Sequence, residues 1–101
     1  MFEDAEILQK REDEQRLKDF QDEQDFKWLM ADSRGRRLIW RQLEAACLFH
    51  RIYDPHPQNL AFNEGKRQHG LWLLDRINTL CPHLYQVMVA ENTTKPDEAN
   101  A

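Results

Sequence analysis

No glycine or proline precedes Gly35, and Ile7 is the lone β-branched residue in that stretch, so nothing there interrupts a helix. Acids stand four residues ahead of bases at Glu6/Lys10, Glu12/Arg16, Glu14/Lys18 and Glu23/Lys27, the favourable order, worth roughly 0.2–0.5 kcal/mol a pair. Together they give about 1–2 kcal/mol, too little to hold so long a helix unless something packs on it. Apolar residues are sparse up to Leu17 and Phe20, then crowd at Phe26, Trp28, Leu29 and Met30. The pattern predicts a helix anchored in the core at its C-terminal end by this cluster, Trp28 included, and projecting, or fraying, towards residue 1.

Asp32 or Ser33 can end that helix and cap a second one running from about Arg34 to His50. Ile39, Leu43, Ala46 and His50 form its inward stripe, flanked by Trp40, Cys47 and Phe49. Two prolines in Tyr53-Asp54-Pro55-His56-Pro57 remove donors and fix φ, so the helix stops before them. A third helix, capped by Asn59, reaches Leu80 with Phe62, His69, Leu73, Ile77 and Leu80 along one face. Pro82 suits the first turn of a short fourth helix that turns Leu84, Tyr85 and Met88 or Val89 inward. From Glu91 onward the string ENTTKPDEANA reads as a loose tail. No repeat or strand pattern is visible. The expected fold is all-α: a small bundle of three main helices and a short fourth, with a long charged N-terminal arm. Residues 1–24 form the arm, 25–91 the core domain and 92–101 a disordered tail.

Charge divides the chain the same way. Residues 1–30 hold ten acids and five bases, residues 31–90 five acids and eight bases, so a mildly basic body carries an acidic arm. With a net charge of −4, bulk electrostatics argue against a nucleic-acid coat. No run approaches the ~20 apolar residues of a membrane span, and no secretory leader is expected at the N-terminus. Two cysteines are too few for a disulfide framework and fit a reducing compartment.

The segment Asp32-Ser33-Arg34-Gly35-Arg36-Arg37, followed by Arg41, carries the most chemical information. Three arginines in a first helical turn, Arg34, Arg36 and Arg37, oppose the macrodipole, and with Arg41 they call for an anionic partner. Carboxylates from the first helix or from a sister subunit's arm are the leading source, ahead of phosphate. Lys66, Arg67 and Arg76 read as a solvated face. Cys47 with His50, and Cys81 with His83, do not match the paired spacings of structural zinc sites, so no metal is expected. No glycine-rich phosphate loop, oxyanion hole or activated nucleophile is visible, and neither cofactor nor catalysis is expected. Gly65 and Gly70 each cost a helix about 0.8–1 kcal/mol, which predicts close approach of another helix or a bulky ring. Leu48 and Leu71 fall opposite their helices' stripes, and Trp40 and Trp72 at the stripe edges. They are the candidate interface, since tryptophan and other aromatics favour the centres of subunit contacts.

The strings Phe26-Lys27-Trp28-Leu29-Met30, Arg34-Gly35-Arg36-Arg37, Ala61-Phe62-Asn63-Glu64-Gly65-Lys66-Arg67 and Pro82-His83-Leu84-Tyr85 resemble a family of small tailed-bacteriophage proteins. Its members are encoded among head-assembly genes of podovirus-like phages, and the likeness spans about residues 25–91. The resemblance implies a phage product made in the bacterial host cytoplasm and incorporated in the virion or assisting its assembly. It implies no catalytic residue. The reading is a non-enzymatic structural or assembly protein whose partners are phage structural proteins or sister subunits. The alternatives are an inhibitor of a host protein and a DNA-binding packaging accessory.

Overall fold

The computed structural model describes residues 2–46, 48–49 and 54–93, and over these the fold is all-α. Four helices follow in order: α1 (Phe2–Met30), α2 (Ser33–Ala45), α3 (Pro57–Leu80) and α4 (His83–Thr93). Every residue from Glu3 to Asp22 is exposed, so α1 is an arm that joins the body only through its last turns. Glu3 and Asp4 in its first turn and Lys27 in its last complement the helix dipole. The expected Glu–Lys ladder is not what ties the arm together. Arg16 pairs with Asp13 at 3.7 Å, and Gln9 and Gln15 donate to Asp13 and Asp19 at 3.0 and 2.8 Å.

The body is built around α2, which touches the other three helices. Met30, Ile39, Leu43, Leu73, Ile77, Cys81 and Met88 form the buried core, with Phe26, Leu29, Trp40, Leu48, Leu80, Leu84 and Tyr85 packed on it. Met30, Leu43, Ile77 and Met88 are fully buried, each worth about 1.5–3 kcal/mol of transfer free energy. Cys81 is 2% exposed and burial pushes its thiol up, so it serves as a small apolar residue. Gly70 lies where the end of α2 crosses α3. A Cβ there would stand 2.5 Å from the Ala46 Cβ and 3.0 Å from the Leu48 Cγ. That matches the close approach expected of Gly70. Gly65 has open space around its Cβ position, so the same expectation fails for it.

Other boundaries shift by small amounts. Pro57, not Asn59, opens α3, preceded by a turn in which the His56 N–H donates to the Asp54 carboxylate at 2.8 Å. Helix α4 continues past Ala90 to Thr93, which brings Glu91 into ordered structure. Two large aromatics expected inside are outside: Trp28 is 78% exposed and Phe62 65%. Trp28 sits two residues from the fully buried Met30, about 200° around the helix. Phe62 lies two turns before Gly70, the first buried residue of α3, on a stretch that overhangs the shorter α2. His69 is exposed as well. His50 and Cys47, assigned to the stripe of α2, and the chain from residue 94 onward lie outside the described residues.

Candidate functional site

The elbow between α1 and α2 is fixed by backbone proximity and one arginine. Asp32 caps α2 in extended conformation, its carboxylate accepting from the Arg34 N–H at 3.1 Å. Gly35 follows in the first turn and rests on the end of α1. A Cβ on it would lie 1.8 Å from the Leu29 carbonyl oxygen, so only glycine lets the two helices meet here. Arg36 then folds into the corner, 9% exposed. Its Nη1 donates to the Met30 carbonyl at 2.8 Å, and its Nε and Nη2 donate to the two Glu91 oxygens at 2.6 and 2.8 Å. One guanidinium thereby ties the end of α1 and the start of α2 to the last turns of α4. The bidentate bond raises the Arg36 pKa and holds the Glu91 carboxyl below its ordinary range, against the opposing pull of desolvation.

Arg36 therefore departs from the other three arginines it was grouped with. Its anionic partner is a carboxylate of α4 and not one of the arm. Spacing carried the signal: Arg36 stands three and seven residues before Ile39 and Leu43 and shares their inward stripe. Arg34, Arg37 and Arg41 are exposed on the opposite side of α2, and none forms an ion pair among the described residues. With Leu38 they line a shallow groove of about 240 Å³.

That groove runs into a larger hollow of about 490 Å³ at the outside of the elbow. Trp28, Leu29, Ala31, Gly35 and Leu38 form its walls, with Asp32 and Arg34 at its edge. Trp28 and Leu38 are 78% and 52% exposed, although each is large enough to have served in a core. Two sequence-neighbouring helices thus leave an apolar seat uncovered and set three arginines beside it. Neither Trp28 nor Leu38 was among the candidate interface residues.

The four that were differ in their exposure. Leu48 is half-buried on the core against Gly70, and Trp40 is half-buried and stacked on Phe49 with ring centroids 4.8 Å apart. Leu71 and Trp72 remain exposed on α3, about 100° apart around the helix. Trp72 stacks on His69 at 5.5 Å, and the Arg76 guanidinium lies over both Trp72 and Phe26, at 5.3 and 5.4 Å. Lys66 covers Phe62 at 4.7 Å. These cations mask aromatic rings of their own chain. His83 is exposed beside the buried Cys81, and among the described residues no three His, Cys, Asp or Glu side chains converge as metal ligands would.

Residues 26–90 match the profile of a family described as "Bbp19-like phage protein", a span that runs from the last turns of α1 almost to the Arg36–Glu91 corner. No curated protein and no solved structure matches the chain.

Proposed function

The chain belongs to the Bbp19-like phage protein family, and from that premise we propose that it is a non-enzymatic structural or assembly protein of the phage, acting by protein–protein contact. The observation that carries this reading is the uncovered seat at the elbow. Tryptophan and arginine are the residues that protein interfaces favour at their energetic centres, and Trp28 stands here exposed beside three arginines. The fitting occupant is an apolar side chain on an acidic segment of a phage structural protein. Its carboxylates would meet Arg34, Arg37 and Arg41, which form no ion pair among the described residues; Arg34 and Arg37, near the start of α2, also oppose its dipole. The hollow offers a reaction little to work with. Its one carboxylate, Asp32, is engaged in capping α2, and its walls hold no histidine or cysteine.

The host cytoplasm is then the site of synthesis, and the virion or an assembly intermediate of the phage head is the destination. No helix among the described residues is long and apolar enough to cross a membrane. Mass spectrometry of purified particles and head intermediates, run for wild type and Trp28→Ala, tests the reading. The chain is expected in one of these fractions, and the substitution is expected to remove it while its melting temperature stays put. A chain absent from particles and intermediates, and recovered instead on a host enzyme, would replace this reading with that of a host-directed inhibitor. Retardation of DNA that falls steeply with salt would favour a packaging accessory acting through the same arginines.

A further inference from the structure

The arm poses a separate question, since the twenty consecutive residues from Glu3 to Asp22 hold helical form while all are exposed. A helix with no continuous apolar face, supported by a few weak side-chain bonds, is marginal in water by itself. One line along it has a definite order. Glu3, Ile7, Lys10, Glu14, Leu17 and Gln21 recur at alternating spacings of four and three, which places them on one seam of the helix. Ile7 and Leu17 on that seam are 50% and 58% exposed.

We propose that a second copy of the chain occupies this seam, the two α1 arms packing antiparallel about a point between Lys10 and Glu14. Reversing the seam against itself sets Ile7 opposite Leu17 and Lys10 opposite Glu14, each twice by symmetry. Glu3 then meets Gln21. Apolar residues face apolar residues and opposite charges face each other, along a seam with the four-three spacing of a coiled coil. A parallel pair in register would stack Lys10 on Lys10 and Glu14 on Glu14, so the charge order selects the antiparallel arrangement. Sliding one arm by a heptad sets Glu14 against Leu17 and loses both matches. The side chains themselves are available. Among the described residues Lys10 and Glu14 take part in no ion pair or side-chain hydrogen bond, whereas Gln9, Asp13, Gln15, Arg16 and Asp19 around them do.

This pairing is independent of the elbow hollow and leaves Trp28 and Leu38 uncovered, because the second copy's arm ends short of them. It makes the particle two-fold, with an identical seat at each end. Partner binding would then be bivalent.

Sedimentation equilibrium of the full chain, alone and in mixtures, decides the matter. Wild type is expected to dimerise reversibly. K10E sets like charges against Glu14 of the second copy, and E14K does the same against Lys10, so each variant alone is expected to dimerise at least about tenfold more weakly. Mixed one to one, K10E and E14K restore both opposed pairs across a heterodimer. The mixture is therefore expected to dimerise close to wild type, an effect that altered helix stability in either variant cannot produce. A wild type that stays monomeric throughout the concentration range overturns the proposal, as does a mixture no stronger than its components. Either result leaves the elbow reading standing, since that reading is tested by Trp28→Ala in particles.

Discussion

Removing Glu91 would strand the Arg36 guanidinium in the corner of α1, α2 and α4 with one carbonyl partner left. Glu91→Ala is therefore expected to lower stability by about 1.5–3 kcal/mol, read from urea unfolding. The Glu91 side chain is one-third exposed, which keeps the loss below that of a deeply buried pair. The same pair sets an acid limit. Arg36 holds the Glu91 carboxyl below its ordinary range, so the stabilisation is complete above the unfolded carboxyl's pKa of about 4.3 and is lost as pH falls through the lower folded value. Arg36 stays protonated throughout that window. Glu91→Gln is expected to be less stable near neutrality and to lose less than wild type between about pH 5 and pH 2, a difference that thermal melts across the range will expose. Glycine contrasts are equally local. Gly35→Ala forces a methyl into the Leu29 carbonyl and should destabilise by about 1–3 kcal/mol, whereas Gly65→Ala meets open space and should stabilise by about 0.8–1 kcal/mol. Equal effects of the two substitutions on the melting temperature would contradict the packing described at the elbow.

At the scale of elements, the boundary between arm and body is sharp, and deletion tests it. A chain lacking residues 1–20 keeps Phe26, Leu29, Met30 and all three body helices, so a cooperative thermal transition near that of the full chain is expected. Loss of cooperativity would mean that the arm contributes to the core. The arm was readable in the sequence because its cue is an absence of breakers, which needs no knowledge of neighbours. Asp32 was readable as a stop and cap for the same reason. The stripe of Ile39, Leu43, Leu73 and Ile77 was readable because helical period alone decides it. What escaped depended on which helix meets which. Trp28 and Phe62 were expected inside because they are large, yet α1 turns Met30 inward and α3 outreaches α2, by about 36 Å against about 20 Å. Leu48 was expected outside because it was placed on an uninterrupted helix, but α2 ends at Ala45 and the chain beyond it curls onto Gly70. Glu91 was read at the boundary of core and tail because nothing within its own segment marks it as the partner of a residue fifty-five positions earlier. The elbow hollow escaped for a related reason: its walls come from two helices whose crossing is set by Gly35, and one glycine in an arginine run does not declare what it touches.

The whole molecule is far from spherical, with a radius of gyration of 18.9 Å and extents of 67 × 39 × 16 Å. A compact chain of this length would have a radius near 13 Å, and α1 alone spans about 43 Å, so the arm accounts for the excess. An arm of that length fixes how far apart two bodies would sit. In the antiparallel pairing, Phe26 of one copy lies about twenty-eight helical residues along the shared axis from Phe26 of the other, or about 42 Å. The product is a dumbbell, with two basic bodies held apart by an acidic rod and two elbow hollows facing separate partners. Small-angle X-ray scattering is expected to give a pair-distance distribution with a second maximum beyond about 40 Å at concentrations where the dimer forms. Dilution, K10E or removal of residues 1–20 should erase that maximum, the last leaving a single peak and a radius near 12 Å. A globular dimer with one maximum would instead mean that copies associate through their bodies, where Leu71 and Trp72 of α3 are the exposed apolar side chains nearest to hand. The spacing matters to the proposed role, since two seats at a fixed separation bind a repeating lattice of subunits more tightly than either seat alone when the lattice offers sites at that distance.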